Sequence, residues 1–564
     1  MQKTSPTGLD KLKASNLFAF PEKIGYYLAL CLRVGLLLCL LASISLALFS
    51  AFYTKSHWFP MPDFTRTRTD FIAPGPGPGP QPEPEPKPEP TNTSHILFGI
   101  GASLTTWHDR SRSGELWWDP NTTRGFVWLD AKPKNETDFS GSIPYRVSED
   151  WTRFRYSSSQ SAVRIARIVY ESFKVGLPNV RWFVMGDDDT VFFTENLVSV
   201  LARYDHDRMY YIGGNSESVE QDVMHAYDMA FGGGGFAISY PLAARLVEMM
   251  DGCLERYYNF YGSDQRVWAC VSEMGVPLTK HAGFHQVRRY FSCFGKGVAE
   301  YGGGGSTVFG FVRDAFLTAN VGGSLGSRHV CGVEDGFLKF VLEDQMFDIR
   351  GDPYGVLAAH PLAPLVSLHH LDSMKPMFPD QTHLDSLKSL LRAYRVDPGR
   401  ILQQSFCYDH RRKWSMSISW GYTIQLYPSL IGAMDLQMPL QTFKTWRSWS
   451  NGPFTFNTRP VSSDPCQQPI IYFLEQVAVG KSGIVTIYKR FVANEGNQCK
   501  QKEYAHAMAV QRIEVSSEKM DPHYWTKEEA PRRECCEIKN RGSIKNGGMG
   551  LRIRACKPKE SITM

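Results

Sequence analysis

Residues 181–193 read RWFVMGDDDTVFF, and this stretch decides how the rest of the sequence is interpreted. Its first part, WFVM, is an apolar run of strand length that ends at Gly186. Three aspartates, Asp187, Asp188 and Asp189, follow at once, and a second apolar run, VFF, comes after them. A buried strand that delivers polar groups to its carboxyl end is typical of an open α/β sheet, where ligands bind at that edge.

Three adjacent carboxylates repel one another and destabilise a folded chain unless a cation or strong hydrogen-bond donors compensate them. A divalent ion such as Mn²⁺ or Mg²⁺ binds oxygen ligands of this kind, and the phosphates of a substrate complete its coordination. An acidic surface turn is the simpler alternative, but such a turn rarely lies between two apolar runs. The motif therefore predicts a metal site.

Composition and the amino-terminal segment indicate where the protein works. The chain has 564 residues, of which 43% are hydrophobic, enough for two or three domains with ordinary cores. Its formal net charge of +5 is too small to indicate a nucleic-acid partner. Residues 34–53 form an apolar segment long enough to span a bilayer, and basic residues outnumber acidic ones before it. We therefore expect a transmembrane signal anchor, a cytosolic tail at residues 1–33, and the rest of the chain in a lumen or outside the cell.

Three regions follow the anchor. Residues 54–93 form a proline-rich stem that includes PGPGPGPQPEPEPKPEP and should be extended. Across residues 94–400, strand and helix patterns alternate, which predicts an α/β fold with a largely parallel sheet. Inside this domain, residues 287–345 show no clear period, so we expect either a retained intron in the gene sequence or a disordered loop. Residues 401–564 predict a β-rich domain that contains cysteines.

The cysteines and glycosylation acceptors agree with a lumenal location. Of the 12 cysteines, Cys31 and Cys39 lie in or beside the anchor and the others follow it. An even set in the C-terminal domain is able to form disulfides in an oxidising compartment, although the sequence leaves the pairing open; these are Cys407, Cys466, Cys499, Cys535, Cys536 and Cys556. Acceptor triplets for N-glycosylation begin at Asn92, Asn121 and Asn135, all beyond the anchor.

Three further patterns lie downstream of the acidic stretch. The run FGGGGFAIS, residues 231–239, contains glycines that permit close approach of the backbone, and we expect it to approach a substrate; a flexible loop is the alternative. Asp264 follows Ser263 at the start of a predicted helix, where spacing alone favours a capping charge. The run LVSLHH delivers His369 and His370, which fit a metal site or a structural pair equally well.

In this order, the anchor, the stem, VMGDDDTVFF, FGGGGFAIS, YGSDQRV and LVSLHH resemble glycosyltransferase family 31. The resemblance is to its Fringe and core β1,3-galactosyltransferase type, specifically the plant Fringe-like branch, and it covers residues 94–372 apart from the insert. The C-terminal domain resembles the extension found in that branch. The resemblance implies a GT-A-like catalytic fold and an inverting transfer that uses Mn²⁺. It also implies transfer of a galactose- or N-acetylglucosamine-type hexose from a UDP-sugar to a glycan or glycoprotein acceptor, through a β1,3 linkage, in a single-pass type II protein of the Golgi membrane.

The resemblance further implies roles for single residues. Asp187 and Asp189 would bind the metal, with Asp189 as the direct ligand, and Asp264 would be the general base. His369 is the preferred metal histidine, and His285, in the run Phe284-His285-Gln286, is the alternative. The residues implied to contact the nucleotide are Gly99, Gly101, Ser103, Arg164, Asp187, Asp188, Gly233 and Gly234.

Two other classes of function fit the same residues. A catalytically inactive lumenal carbohydrate-binding or scaffold protein is one, because the insert separates Asp264 from His369. A haloacid-dehalogenase-type phosphatase is the other, because the segment from Asp187 to Val191 fits D-x-D-x-[TV], in which the first aspartate is the nucleophile. Those phosphatases usually carry the motif at the start of the domain. Metal-dependent binding of UDP distinguishes a transferase from both alternatives.

Overall fold

The computed structural model describes residues 31, 33–46, 89–134, 143–155, 160–286, 332–334, 337–339, 349–445, 453–480, 483–492, 499–526, 531–539 and 547–563. The chain divides into two compact units, Met1–Lys87 and Pro88–Met564. In the first unit, residues 33–46 form an exposed helix, α1. Among the helices within the described ranges, none is both long and apolar enough to cross a membrane. Residues 47–53 of the predicted anchor and most of the predicted stem lie outside these ranges, so both stay predictions.

The second unit begins with an α/β part. Its strands are β1 (Ile96–Gly101), β2 (Gly125–Leu129), β3 (Tyr145–Val147), β4 (Trp182–Asp187), β5 (Val191–Phe192), β6 (Tyr211–Gly213), β7 (Phe236–Ser239), β8 (Leu278–Lys280), β9 (Phe284–Gln286), β10 (Gly332–Glu334), β11 (Phe337–Lys339), β12 (Ile349–Gly351) and β13 (Ser367–His369). Its helices are α2 (Leu104–Glu115), α3 (Gln160–Lys174), α4 (Thr194–Leu201), α5 (Val219–Met224), α6 (Tyr240–Arg256), α7 (Ser263–Glu273), α8 (Tyr354–Ala358) and α9 (His383–Val396). Of the predicted insert, only β10 and β11 are described, and they pair antiparallel.

One mixed sheet positions the acidic stretch. Its strands lie in the order β3-β2-β1-β4-β7-β6-β8, and neighbours are parallel except at β7, which is antiparallel to β4 and to β6. Four of the six strand pairs are parallel, so the sheet is largely parallel as predicted, with β7 as the one reversed strand. Because β7 is reversed, its first residue, Phe236, pairs with Met185 of β4 and with Gly213 of β6. The glycine run before β7 consequently lies at the same edge of the sheet as the aspartates.

The sheet is buried on both faces. Leu97 and Phe183 belong to the hydrophobic cluster that includes helices α3, α6 and α7, whereas Phe98 and Val184 belong to the cluster on the opposite face. This alternation is the period of two expected for a strand, and burial on both faces explains why the strands read as continuous apolar runs.

A smaller sheet brings the histidine run to the acidic stretch. It consists of β5, β13 and β9, with β13 antiparallel to β5 and parallel to β9. Ser367 pairs with Phe192 on one side and with Phe284 on the other. The end of β13, where His369 lies, is therefore placed beside the turn that joins β4 to β5.

The C-terminal part is a closed β-barrel, which confirms the prediction of a β-rich region. The strands that follow are β14 (Gln404–Asp409), β15 (Trp414–Ser419), β16 (Thr423–Tyr427), β17 (Phe443–Thr445), β18 (Ile470–Gly480), β19 (Gly483–Arg490), β20 (Arg512–Ser517), β21 (Cys535–Lys539) and β22 (Gly548–Arg554), with helices α10 (Ala433–Leu436) and α11 (Lys502–Met508). The barrel closes in the order β14-β15-β16-β18-β19-β20-β22-β21, and β17 pairs instead with β12. One hydrophobic cluster runs from the α/β sheet into the barrel, so the two parts share a core.

Disulfides connect both parts internally. The six cysteines predicted to pair in the C-terminal region form Cys407–Cys536, Cys466–Cys499 and Cys535–Cys556. In the α/β part, Cys253–Cys270 joins α6 to α7. Cys31 and Cys39 are free thiols.

Candidate functional site

The aspartates lie in a largely buried turn at the carboxyl end of β4. The side chains of Asp188 and Asp189 are 4% and 5% exposed, whereas that of Asp187 is 32% exposed. Thr190 stabilises the turn, because its hydroxyl accepts a hydrogen bond from Asp187 N (2.8 Å) and donates one to Gly233 O (2.8 Å). The alternative of an acidic surface turn is therefore wrong, since two of the three carboxylates are withdrawn from solvent.

Two histidines contact this turn. His369 Nε2 lies 2.9 Å from Asp189 Oδ1 and 3.6 Å from Asp187 Oδ2, and His370 Nδ1 lies 3.3 Å from Asp189 Oδ2. One ligand atom from each of Asp189, His369 and His370 lies within 4.8 Å of the other two, and all three residues are buried. We call these three residues the metal cluster. His370 has a left-handed backbone, with φ 57°, which turns the chain directly after β13.

Buried polar atoms without hydrogen bonds show that a cation fits the metal cluster. Within the part of the chain that the structure describes, neither carboxylate oxygen of Asp189 and neither ring nitrogen of His369 makes a well-directed hydrogen bond, although all four atoms are buried. Leaving such atoms unsatisfied is unfavourable, and coordination to a metal ion would satisfy them. A carboxylate with imidazoles is a better donor set for a transition metal such as Mn²⁺ than for Mg²⁺, which prefers oxygen ligands.

The three carboxyl groups ionise differently. Burial raises the pKa of Asp187 to about 6, and it also raises the pKa of Asp188. Burial acts in the same direction at Asp189, but the charges of the two neighbouring histidines and of Arg110 outweigh it and hold the pKa of Asp189 well below its usual range. Asp189 is therefore the member of the trio best suited to serve as an anionic ligand.

Arg110 on α2 is a residue of this site that the sequence analysis missed. Its Nη1 donates a hydrogen bond to Asp188 Oδ1 (2.7 Å), and its Nη2 lies 3.5 Å from Asp189 Oδ2. The Thr106 hydroxyl donates to Asp188 Oδ2 (2.7 Å). Burial lowers the pKa of Arg110, but the two carboxylates more than reverse this effect. The available signal was the spacing of Thr106 and Arg110, which places them on one helix face directly after the first strand.

His285, the alternative metal histidine, belongs to a different cluster. Its Nδ1 lies 2.9 Å from Glu217 Oε1, and its Nε2 lies 2.9 Å from His360 Nε2. Both ring nitrogens of His285 therefore have partners away from the aspartates. The geometry brings His369 to the acidic turn, in agreement with the preferred choice.

The glycine run at residues 232–235 connects the predicted base to the metal cluster. Gly232 N donates a hydrogen bond to Asp264 Oδ2 (3.3 Å). At Gly233, an added Cβ would lie 2.1 Å from Cε1 of His369, so only glycine leaves room for the imidazole. Close approach of the backbone was predicted for this loop, and at Gly233 the backbone closely approaches a histidine of the metal cluster. Its approach to a substrate stays a prediction.

Asp264 is buried in the first turn of α7, with 8% exposure. Its Oδ1 accepts a hydrogen bond from Gln265 N (2.9 Å), in addition to the contact with Gly232. The helix begins after Gly262, which takes the N-cap position, and Ser263 is the first helical residue. The Asp264 carboxylate is thus held by backbone donors beside the glycine run. Its role as a base stays a prediction.

Gly234 is a buried residue of the same loop. Its carbonyl accepts a hydrogen bond from the Ser367 hydroxyl, and an added Cβ would lie 3.6 Å from Gln286 Oε1. Gln286 pairs in register with His369 across β9 and β13. A nucleotide contact at Gly234 stays a prediction.

Gly99 and Gly101, which were implied to contact the nucleotide, are buried against α3. A Cβ at Gly99 would lie 2.8 Å from Ser172 Oγ, and one at Gly101 would lie 3.1 Å from Ile168 Cδ1. The two glycines therefore allow α3 to pack closely on β1. Contacts of Gly99 and Gly101 with a nucleotide stay predictions.

Ser103 and Arg164 lie near the carboxyl ends of β1 and β2. Ser103 is the N-cap of α2 and donates its hydroxyl to Asp130 Oδ2 (2.6 Å). Arg164 is 3% exposed and donates Nη1 to Trp128 O (3.0 Å). Burial lowers the pKa of Arg164, and the nearby carboxylates Asp130 and Asp188 oppose this shift. Contacts of Ser103 and Arg164 with a nucleotide stay predictions.

One family model matches the chain. It is described as "Protein of unknown function, DUF604" and matches residues 221–296 and 339–536. These residues include the glycine run, Asp264 and the two histidines, and they leave out the three aspartates. The unmatched gap falls inside the predicted insert. A comparison with curated proteins found no significant match.

Solved structures of glycosyltransferases show a weak similarity. A glycosyltransferase involved in glycosylation of the major capsid of PBCV-1 is 10% identical, with 33% of this chain and 80% of that chain covered and a TM-score of 0.21. The mannosyltransferase PcManGT from Pyrobaculum calidifontis, in complex with GDP-Man and Mn²⁺, is 13% identical, with 34% and 56% covered and a TM-score of 0.21. The catalytic domain of Drosophila beta1,4galactosyltransferase 7 is 12% identical, with 33% and 64% covered and a TM-score of 0.19. At these TM-scores, the similarity supports no conclusion about this chain.

Proposed function

We propose that this protein is a metal-dependent, inverting glycosyltransferase. It would transfer a galactose- or N-acetylglucosamine-type hexose from a UDP-sugar to a hydroxyl group of a glycan or glycoprotein. The observation that carries the proposal is the metal cluster at the carboxyl end of β4, where the ionised carboxylate of Asp189 and the unsatisfied nitrogens of His369 converge. A cation bound there would neutralise the charge that develops on a departing diphosphate.

The residues around the metal cluster have separate roles in this reaction. Asp189, His369 and His370 would hold the ion, and Asp187, which is more exposed than Asp189, lies beside the cluster and would contribute a further carboxylate. Arg110 compensates the buried charge of Asp188. The site therefore does not present three uncompensated carboxylates to an anionic donor.

Asp264 would accept the proton of the acceptor hydroxyl as its oxygen attacks C1 of the donor sugar. The bond between C1 and the diphosphate oxygen breaks as the new C1–O bond forms, and the diphosphate keeps the electron pair. A single displacement of this kind inverts the anomeric centre without a covalent nucleophile. The backbone donors at Gly232 and Gln265 stabilise the ionised form of Asp264 that this role requires.

A Golgi type II location, the β1,3 linkage and the Fringe-like specificity are parts of the same proposal. They rest on the order of the sequence motifs and on the apolar segment at residues 34–53. The four disulfides among the described residues of the second unit are typical of proteins in an oxidising compartment and support a lumenal location.

Titration of the purified protein with UDP, with and without Mn²⁺, tests the metal-dependent step. We expect UDP binding that requires Mn²⁺ and that Asp189→Ala abolishes, because the ion would lose its anionic ligand. Asp109→Ala, at an exposed aspartate on α2, is the matched control and should bind like the wild type. Binding of UDP that does not need Mn²⁺, or no binding, would contradict the proposal and favour the scaffold alternative.

Turnover measurements test the base. A screen of UDP-sugars by UDP release identifies the donor, and Asp264→Asn should then keep UDP binding while turnover falls by about 100-fold or more. Wild-type turnover in Asp264→Asn would show that another group accepts the proton. Release of inorganic phosphate from simple phosphoesters, lost in Asp187→Asn, would instead support the phosphatase alternative.

A further inference from the structure

A cavity of about 610 Å³ lies between α9 and the outer side of the barrel. Arg392 of α9 and the preceding Phe378 line one wall, and Phe473 and Lys489 of β18 and β19 line the other. The pairing of β18 with β19 shifts register beside Phe473, and such bulges bend a strand and increase its twist. None of the lining residues belongs to the metal cluster, so this is a second site.

Aromatic rings form the floor of the cavity. The ring centroid of Phe473 lies 5.7 Å from that of Phe491 and 6.0 Å from that of Phe378. Tyr472 is fully buried, whereas the next residue, Phe473, is half-buried on the outer side, as the alternation of a strand requires. Half-buried rings offer an apolar surface against which the C–H face of a sugar ring can pack.

Two of the basic residues that line the cavity, Arg392 and Lys489, have no counter-ion among the described residues. Within the described residues, neither Arg392 nor Lys489 makes an ion pair or a side-chain hydrogen bond, although both are exposed. By contrast, the Glu475 carboxylate is paired with Arg512 at 3.2 Å. The cavity therefore presents two positive charges that are free to bind an anion on a ligand.

The other polar groups that line the cavity indicate which class of ligand it would bind. Asp380, Gln381, Glu475 and Gln476 also line the cavity, so carboxylates and amides lie among the cations. A polyphosphate has no hydroxyl groups that could donate hydrogen bonds to these carboxylates, whereas the hydroxyls of a sugar would donate such bonds. The volume lies in the range of ligand cavities, about 300–1,000 Å³, and suits a short oligosaccharide.

We propose that this cavity binds an acidic oligosaccharide, a short glycan that carries carboxylate groups. A carboxylate would lie between Arg392 and Lys489, and a neighbouring sugar ring would pack on Phe473 and Phe491. Residues 371–377 join His370 to Phe378, so one short segment borders both the metal cluster and the cavity. The proposal does not depend on the transferase function, because it concerns binding without turnover.

Isothermal titration of the full-length protein with trigalacturonic acid tests this site. The matched ligand is the same trisaccharide with its carboxyl groups reduced to alcohols. We expect one-to-one binding of the acid and binding of the reduced form that is about tenfold or more weaker, because charge-assisted hydrogen bonds are lost. Arg392→Gln and Lys489→Gln should each weaken binding of the acid about tenfold. Lys388→Gln, at an exposed lysine of α9 that does not line the cavity, should leave it unchanged.

Other outcomes overturn the proposal. Equal affinity for the two trisaccharides, or affinity for the acid that survives both replacements, would show that Arg392 and Lys489 do not recognise a carboxylate. Tighter binding of UDP or pyrophosphate that Lys489→Gln abolishes would assign the cavity to phosphates. No binding by the wild-type protein would refute the site. Thermal unfolding of each variant shows that the fold persists, as expected for replacements of exposed side chains.

Discussion

Replacing Gly233 by alanine should displace a histidine from the metal cluster while leaving the protein folded. The added Cβ would lie 2.1, 2.5 and 2.6 Å from Cε1, Nδ1 and Nε2 of His369. Ordinary contacts between such atoms are about 3.5 Å or longer, so the imidazole must retreat by about 1 Å or more. Metal–ligand distances tolerate only about 0.2 Å, and we therefore expect Mn²⁺ affinity to fall about 10- to 100-fold. The overpacking itself should cost about 1–3 kcal/mol of stability.

Electron paramagnetic resonance of free Mn²⁺ measures the affinity directly, and calorimetry checks that Gly233→Ala is folded. Gly232→Ala and Gly234→Ala are matched controls from the same loop, because a Cβ at either position meets its nearest neighbour only at 3.6 Å. Both controls should bind Mn²⁺ like the wild type. Wild-type affinity in Gly233→Ala would refute His369 as a ligand. An equal loss of Mn²⁺ affinity in all three variants would show that the contact between the added Cβ at Gly233 and His369 is not the cause.

Two further predictions concern charged groups. Glu171→Gln should stabilise the protein more at pH 8 than at pH 5: burial raises the pKa of Glu171 to about 7, above its usual value of 4.5, so stability falls as pH rises between these values. At pH 8, the ionised Glu171 side chain should cost the folded protein about 3 kcal/mol of stability. Urea unfolding of the wild type and of Glu171→Gln at both pH values measures this cost. An equal stabilisation by Glu171→Gln at pH 5 and pH 8 would contradict the prediction. Arg110→Gln should lower the melting temperature more without Mn²⁺ than with it, because the ion would replace the lost positive charge beside Asp188 and Asp189. Calorimetry with and without Mn²⁺ measures the fall in melting temperature. An equal fall in both conditions would show that the ion does not replace the charge of Arg110.

Much of the α/β part could be predicted from the sequence because its signals are local. The apolar run before Gly186 became β4, and the alternation of strand and helix patterns across the domain became the α/β part. The reversed direction of β7 could not be predicted from the sequence, because side chains alternate along a strand in the same way in either direction. Only the pairing with neighbouring strands decides the direction.

Part of the candidate site could likewise be predicted from the sequence, and part of it is visible only in the fold. The three aspartates, the glycine run and the histidine pair were found from residue type and spacing alone, because each is a short motif with its own chemistry. Their assembly and the addition of Arg110 came only from the fold. Asp189 and His369 are far apart in the chain, and they meet because β13 pairs with β5 and so carries its last residue to the turn after β4. A local pattern holds no information on such pairing, which depends on how the whole sheet packs.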